Sequence, residues 1–295
     1  MNLSSFGMDS STMSGTLECK LHAACDLGFR QMMLWATDLA AHPGGVADAV
    51  RMVRASGLRV TGLQVLRDME GLDGAAHEHK LGIARQLLQL CRLVGAPLLL
   101  ACSSTSPHAS GHVTTQAHDL AGLAQLAVPF GVKIGYEALS WGRHVNVLEQ
   151  AWEVVELAGQ PNLGVVVDAC HVLARPGSLD CLDDMPSQKI FLVQLSDFLG
   201  PVPVNDAERI DAARHQRVFP GLGDHATSLA DLLRRLDRAG YRGDYSFEAA
   251  NDDYLQLPPL AVAQYALASA RWVTDQVLPR GLELRRRTAS AQAML

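Results

Sequence analysis

"LGVVVDACHVLARPG", residues 163–177, combines an uninterrupted apolar run with an acid and a histidine. A short apolar run rich in valine is typical of a strand that is buried on both faces. Asp168 closes the run, and His171 follows three residues later. A buried strand excludes charge unless the charge has a partner. Asp168 therefore lies where the core ends, or beside a partner such as a metal ion.

Similar apolar runs recur along the chain and alternate with amphipathic stretches. The predicted strands lie near Leu3–Met8, Gln31–Trp35, Arg59–Leu66, Pro97–Cys102, Lys133–Glu137, Gly164–Asp168, Ile190–Leu195 and Asp244–Glu248. The predicted helices include Thr16–Leu27, Val46–Ala55, Lys80–Val94, Ala117–Val128, Val147–Ala158 and Leu229–Ala239. Strands that alternate with helices form a parallel sheet covered on both sides. Eight such units predict an α/β fold, a single (β/α)8 TIM barrel over residues 1–278, followed by a polar tail over 279–295.

Two connections depart from the regular pattern. The segment between the sixth and seventh predicted strands, "PGSLDCLDDMPS", leaves room for only a short helix. A long loop, Ser196 to Asp224, is predicted after the seventh strand. Loops of that length inside a compact domain are often functional.

Composition narrows the range of functions. The chain has 295 residues, of which 48% are hydrophobic, and this suits one large α/β core. A net charge of −6 argues against a nucleic-acid partner, which would need clustered Lys and Arg. No apolar run is long enough to span a membrane, and "MNLSSFGMDSST" lacks the features of a signal peptide. The six cysteines form no CxxC pair, so we expect reduced thiols and a cytoplasmic protein.

Four oxygen-bearing side chains stand at or near the ends of successive predicted strands. They are Glu137, Asp168, Gln194 and Glu248. In a (β/α)8 barrel the active site lies at the carboxyl ends of the strands. Each residue alone has an ordinary explanation as a helix cap or an ion-pair partner. Together, three carboxylates would repel one another unless a cation lies between them, and oxygen ligands suit a divalent ion such as Mg²⁺, Mn²⁺ or Co²⁺.

Arginines near the same end suggest an anion site. Arg67 closes the third strand, Arg143 follows the fifth, and Arg214 and Arg217 lie in the long loop. Guanidinium groups bind carboxylate or phosphate through paired hydrogen bonds. Two alternatives remain at this point: Arg67 pairs with a neighbouring acid, and the loop arginines are structural or exposed.

With these residues in view, the chain resembles the xylose-isomerase-like TIM barrels, also called the sugar phosphate isomerase/epimerase superfamily. Within that superfamily it is most similar to bacterial 3-dehydroshikimate dehydratases. The stretches "LQVLRDMEG", "YEALSWGRHVN", "PNLGVVVDACHVLAR", "KIFLVQLSD", "RVFPGLGD" and "FEAANDDY" carry the resemblance. The chain departs from the family pattern at two places. "QMMLWA" has no acid where relatives often carry Glu, and in "FEAANDDY" polar residues follow Glu248 where relatives have more apolar ones.

The resemblance implies roles for the candidate residues. Glu137, Asp168, Gln194 and Glu248 are expected to bind one divalent cation. His171 is expected to transfer a proton, with Glu137 as the other candidate. Arginines such as Arg67 are expected to hold a substrate carboxylate.

The function that follows is dehydration of 3-dehydroshikimate to protocatechuate through an enolate that the metal stabilises. An isomerase or epimerase of a keto-sugar or keto-inositol would use the same metal site and is the main alternative. An apurinic-site endonuclease would need several zinc-binding histidines and a basic surface, and neither is evident. A non-catalytic sensor on the same barrel stays open. The expected partners are a small carboxylate-bearing substrate and, at most, further copies of the chain in a homo-oligomer, with no nucleic acid and no membrane.

Overall fold

The computed structural model describes residues 3–279, so the predicted polar tail lies outside the described residues apart from Pro279. Ten strands lie in this range: β1 Phe6–Asp9, β2 Gln31–Trp35, β3 Arg59–Arg67, β4 Leu98–Cys102, β5 Lys133–Glu137, β6 Leu163–Asp168, β7 Ile190–Leu195, β8 Asp197–Phe198, β9 Arg217–Val218 and β10 Tyr245–Phe247. Eight of them close a parallel barrel in the order β1-β10-β7-β6-β5-β4-β3-β2. The predicted (β/α)8 TIM barrel is confirmed.

Helices cover the outside of the barrel. Their bounds are α1 Leu17–Asp26, α2 Ala36–Ala40, α3 Gly45–Ser56, α4 Gly74–Val94, α5 Val113–Ala127, α6 Leu148–Ala158, α7 Ala169–Ala174, α8 Cys181–Asp184, α9 Asp206–His215, α10 Ala226–Arg238 and α11 Pro259–Trp272. Gly95 ends α4 at a φ of 75°, a left-handed conformation that glycine adopts without steric cost. No helix in the described residues is long and apolar enough to cross a membrane.

The interior of the barrel is filled by a small apolar cluster. It includes Leu98, Leu100, Val166 and Leu192, and is separate from the larger core between strands and helices. Successive strand residues point to opposite faces, so the residue two positions beyond an inward one also points inward. Val166 and Leu192 are therefore followed on the interior face by Asp168 and Gln194. The alternation places polar side chains directly above the apolar cluster.

The predicted long loop contains regular structure. β8 and β9 pair antiparallel, with Asp197 opposite Val218, and α9 lies between them. Asn205 caps α9, because its Oδ1 accepts a hydrogen bond from the Glu208 backbone N–H at 3.0 Å. Only Ala212 and Ala213 of α9 are buried, so the sequence lacks the apolar period that identifies a helix. The short helix predicted in "PGSLDCLDDMPS" is present as α8, and a second short helix, α7, precedes that segment directly after β6.

Candidate active site

The four predicted cation ligands come together at the carboxyl end of the barrel. Glu137 ends β5, Asp168 ends β6 opposite Gln194 of β7, and Glu248 follows β10 directly. The Glu248 backbone N–H donates to the Leu195 carbonyl at 3.1 Å, which continues the pairing of β10 with β7. Neighbouring parallel strands therefore place these residues side by side.

Arg217 lies between the acids. Its Nη1 donates to Asp168 Oδ2 at 2.7 Å and to Glu248 Oε2 at 3.3 Å. Its Nη2 lies 3.3 Å from His171 Nε2. All three contacts are made by a buried guanidinium, so Arg217 supplies a fixed positive charge within the carboxylate cluster. The sequence placed Arg217 in a loop at this end but did not predict that it would pair with two predicted metal ligands.

Two predicted ligand atoms have no partner. Glu137 Oε1 and Gln194 Oε1 are buried and accept no hydrogen bond from any described residue. Ligand atoms of Glu137, Asp168 and His171 lie within 4.8 Å of one another. Unpartnered buried oxygens are costly unless something absent from the protein atoms satisfies them. The donor set, carboxylate and amide oxygens with one imidazole nearby, fits a divalent cation.

The electrostatics of the cluster reflect its excess of acid. Burial and the nearby charges of Asp168 and Glu248 raise the pKa of Glu137 well above its usual value. Burial also raises the pKa of Glu248, and Arg217 offsets this in part. Burial would raise the pKa of Asp168 as well, but Arg217 and His171 lower it overall. One guanidinium therefore compensates Asp168 and leaves Glu137 largely uncompensated.

His171 is held as a neutral ring. Burial lowers its pKa to about 4, although the charge of Asp168 acts in the opposite direction. Since Arg217 only donates, His171 Nε2 accepts, and the ring proton lies on Nδ1, 3.3 Å from Ser140 Oγ. The Trp141 ring meets the His171 ring edge-on, with centroids 5.0 Å apart. These contacts give His171 a defined orientation and a lone pair on Nε2.

A cavity of about 360 Å³ opens beside these residues. Glu137, His171, Arg217 and Glu248 line it, and so do several side chains from other strands, helices and loops at this end. The latter are Ser11, Trp35, Gln64, Arg67, Cys102, Trp141 and Arg214. The volume is in the range of pockets that bind small molecules.

The other predicted arginines differ in position. Arg67 and Arg214 are exposed and line the cavity, whereas Arg143 is exposed and does not line it. In the described part of the chain, the Arg67 guanidinium has no hydrogen-bond or ion-pair partner. The neighbouring acids have other partners: Asp68 pairs with Lys80, and Glu70 accepts from Tyr136. Arg214 lies 5.8 Å from the Trp141 ring centre. Arg67 and Arg214 are thus free to bind an anion in the cavity.

Gln64 and Cys102 are site residues that the sequence reasoning missed. Cys102 Sγ donates to Glu137 Oε2 at 2.9 Å, and Gln64 contacts Glu248 at 3.2 Å. The pairing of β3 with β4 shifts register between Leu63 and Leu66, so simple alternation does not identify Gln64 as a cavity residue. Cys102 ends β4 as Glu137 ends β5, and its position could have identified it.

Burial raises the pKa of Cys170 to about 12, so that thiol is no nucleophile at neutral pH.

Comparison with known proteins agrees with this geometry. Residues 21–276 match the xylose isomerase-like TIM barrel family, and the chain belongs to that family. The predicted family is confirmed.

Three relatives illustrate the range of the family. A 3-dehydroshikimate dehydratase of Pseudomonas aeruginosa is 36% identical over 265 residues, 90% of this chain and 41% of that protein. An inosose isomerase of Bacillus velezensis is 24% identical over 278 residues, 92% of this chain and 94% of that protein. A solved structure described as a xylose isomerase-like TIM barrel/4-hydroxyphenylpyruvate dioxygenase fusion protein has a TM-score of 0.88 and 33% identity, covering 96% of this chain and 44% of that one. The chain thus spans about two fifths of the dehydratase relative and of the fusion protein.

Proposed function

We propose that this chain is a divalent-metal-dependent dehydratase that converts 3-dehydroshikimate to protocatechuate and water. The observation that carries the proposal is the arrangement in one cavity of a neutral His171, an acidic cluster with too little compensating charge and two arginines free to bind an anion. The 36% identity to a 3-dehydroshikimate dehydratase over 90% of this chain supports the choice of reaction.

Substrate binding is assigned to the rim of the cavity. 3-Dehydroshikimate carries one carboxylate, and Arg67 and Arg214 are the exposed guanidinium groups that line the cavity. A guanidinium binds a carboxylate through two parallel hydrogen bonds, which fixes orientation as well as position. The ketone and hydroxyl end of the substrate then faces the acids and His171. Arg143 lies outside the cavity lining, so we give it no direct contact with the substrate.

The cation site is assigned to Glu137, Asp168, Gln194 and Glu248, with His171 adjacent. The unpartnered oxygens of Glu137 and Gln194 are the atoms of this structure that fit a bound ion. When bound, a divalent cation supplies Lewis-acid polarisation of the substrate ketone. Arg217 contacts two of these acids, so it must share them with the ion or move aside.

Proton transfer is assigned to His171, with Glu137 as the alternative base. Once Arg217 Nη2 withdraws its hydrogen bond, the Nε2 lone pair of His171 accepts the proton from the carbon between the ketone and the hydroxyl-bearing carbon. The electron pair of that C–H bond forms an enolate, which re-forms the ketone and expels the β-hydroxyl as the C–O bond breaks. The departing hydroxyl takes up the proton that His171 accepted and leaves as water, and tautomerisation then yields the aromatic ring. A neutral imidazole suits the first step because its unprotonated nitrogen can act as a base, whereas a protonated ring cannot.

Isomerisation of a keto-inositol is the second candidate. The resemblance to an inosose isomerase along 92% of this chain favours it. Both reactions begin with the same proton removal, and they differ in whether the enolate loses a hydroxyl or is reprotonated at another carbon. The arginines that line the cavity favour the dehydratase, because an inosose has no carboxylate for them to bind.

The product identifies the reaction. Purified protein is mixed with 3-dehydroshikimate and with Mg²⁺, Mn²⁺ or Co²⁺, and the ultraviolet absorbance of protocatechuate is followed over time. We expect an aromatic product that forms with added metal and is suppressed by a chelator. A parallel reaction with an inosose gives the comparison. Conversion of the inosose without any protocatechuate from 3-dehydroshikimate would establish the isomerase instead.

A further inference from the structure

The amide of Gln194 can serve a cation only in one orientation. An amide presents an oxygen on one side and an NH₂ group on the other, and only the oxygen is a metal ligand. In the structure Gln194 Nε2 donates to Glu248 Oε2 at 2.8 Å and to Gln64 Oε1 at 3.4 Å. Its Oε1 remains buried and without a partner among the described residues. The reversed amide would set its oxygen against two acceptor oxygens.

The orientation of Gln64 is determined in the same way. Its Nε2 donates to Glu248 Oε1 at 3.2 Å and to Ser11 Oγ at 3.3 Å. Both amide hydrogens are used, and Gln64 Oε1 is left to accept from Gln194. Reversal of Gln64 would oppose its oxygen to Glu248 and its NH₂ to the NH₂ of Gln194. Each amide therefore constrains the other.

Asp9 determines the direction of the last hydrogen bond in the series from Gln194 through Gln64 to Ser11. The Ser11 hydroxyl donates to Asp9 Oδ1 at 2.7 Å, and the Ser11 backbone N–H donates to the same oxygen at 2.9 Å. Since the hydroxyl proton is directed at Asp9, a lone pair of Ser11 Oγ is left for Gln64. Asp9 is fully buried at the end of β1, so the last acceptor of this hydrogen-bond series is fixed in the core.

We propose that Ser11 and Gln64 are positioning residues that hold Gln194 with its amide oxygen toward the cation. The hydrogen bonds are donated from Gln194 to Gln64, from Gln64 to Ser11 and from Ser11 to Asp9. Each residue donates to the next one, which leaves its own oxygen to accept from the residue before it. The inference rests on the proposed cation site. It assigns a role to residues of β3 and of the turn after β1, neither of which supplies a proposed ligand.

A double-mutant cycle on metal binding tests the proposal. Mn²⁺ is titrated calorimetrically into the metal-free full chain and into Gln64→Met, Gln194→Glu and the double variant. Gln64→Met should weaken Mn²⁺ binding roughly 10–100-fold, the usual effect of removing a hydrogen-bond partner of a metal ligand. In the Gln194→Glu background the same substitution should cost at most a few-fold, because a carboxylate presents an oxygen either way round. A purely structural role for Gln64 would weaken binding equally in both backgrounds.

Further variants separate orientation from damage to the fold. Gln31 is another buried glutamine, and it lies at the opposite end of the barrel, where it donates to the Ser5 carbonyl at 3.0 Å. Gln31→Met should leave Mn²⁺ affinity unchanged. Ser11→Ala should weaken Mn²⁺ binding less than Gln64→Met does, and it repeats the cycle if Gln64→Met does not fold.

The outcomes are distinct from those of the activity assay. Equal losses in both backgrounds, or no loss from Gln64→Met beside Gln194, would overturn the inference, as would a wild-type chain that binds no Mn²⁺. A chain that binds Mn²⁺ but forms no protocatechuate would refute the proposed reaction, and the cycle would still decide the role of Gln64.

Discussion

At the amino-terminal end of the barrel, Arg59 donates to both carboxylate oxygens of Asp244, at 2.8 and 2.6 Å. Lys189 at that end donates to the carbonyls of Gln160 and Leu163, at 2.6 and 2.9 Å. At the carboxyl-terminal end, buried carboxylate and amide oxygens are left without partners. Within residues 3–279 they belong to Asp9, Asp38, Glu70, Glu137, Gln194 and Asp197, each at or just beyond the end of a strand.

The difference between the two ends shows where the fold carries electrostatic strain. An unpaired buried oxygen or charge lowers stability, and selection for stability alone would remove it. Six such residues at one end indicate that this end binds something that satisfies part of them. The amino-terminal end has its charges paired, and none of its described carboxylate or amide oxygens is buried without a partner. The following predictions test that division.

Glu137→Gln should have the largest effect, a complete loss of Mn²⁺ binding measured by calorimetry. The same change should stabilise the metal-free protein by about 1 kcal/mol or more, because it removes a buried carboxylate that lacks sufficient compensating charge. The amide still accepts from Cys102 Sγ, so the local packing is kept. Thermal unfolding in a chelator measures the gain. A lower Tm for the variant, or unchanged Mn²⁺ affinity, would contradict the comparison.

His171→Ala should lower kcat by about 10²–10⁴-fold while Mn²⁺ still binds, as expected for loss of a general base. Ligand atoms of His171, Glu137 and Asp168 lie within 4.8 Å of one another. If His171→Ala no longer binds Mn²⁺, we would therefore assign His171 as a metal ligand rather than as the base. His144→Ala is the matched control. His144 bonds the Ala109 carbonyl at 2.9 Å and does not line the cavity, so its loss should leave kcat unchanged.

Much of the barrel could be predicted from the sequence, because short apolar runs between glycine-ended helices are local signals. β2, β5 and β7 begin and end at the predicted residues. α9 was missed, because a polar helix that buries two alanines has no periodic pattern to detect. Its cap at Asn205 and the acids of its first turn, Asp206 and Glu208, are local signals that could have indicated its start.

Only the part of the candidate site that lies at the ends of the strands could be predicted from the sequence. Glu137, Asp168, Gln194 and Glu248 meet because parallel strands share an end, and this follows from chain order alone. The burial of Arg217 on Asp168 depends on how the β8–β9 segment folds over the rim, which is a tertiary contact. Such contacts leave no periodic trace in the sequence.

Glu70→Gln should change the pH dependence of stability. Glu70 lies beyond the end of β3 and outside the cavity lining, and burial raises its pKa to about 7 from 4.5. The folded state therefore binds a proton more tightly than the unfolded state does. The contribution of Glu70 to stability is fully present below about pH 4.5 and is lost as pH rises toward 7, by about 3 kcal/mol in total.

Urea unfolding of wild type and Glu70→Gln across this pH range measures the effect. The variant should lack this fall, and the difference between the two curves isolates Glu70 from the other acids. The amide oxygen of the variant can still accept from Tyr136, so the fold should persist. Parallel curves at all pH values would show that Glu70 stays ionised when buried.

Arg67→Ala should lower kcat/KM for 3-dehydroshikimate by at least tenfold, since a lost charge-assisted hydrogen bond costs about 1.5–3 kcal/mol. Arg143→Ala removes an exposed arginine near the same end that does not line the cavity, and should leave kcat/KM near the wild-type value. Steady-state kinetics of both variants at fixed Mn²⁺ provide the test. A reversed pattern would move the carboxylate site to the Arg143 side of the rim.

Arg59→Met should have the smallest effect and should act on stability alone. The Arg59 side chain is 53% exposed and that of Asp244 is 31% exposed, so solvent screens the pair and its loss should cost about 0.5–1 kcal/mol. Urea unfolding in a chelator measures this cost, and a cycle with Asp244→Asn isolates the pair from the bond between Arg59 and Gln31. Added salt should reduce the coupling between Arg59 and Asp244. Mn²⁺ affinity and kcat should not change, because the pair lies at the opposite end of the strands from the cavity. A change in Mn²⁺ affinity would show that the two ends are coupled through the strands, and that pairing at one end is a condition for binding at the other.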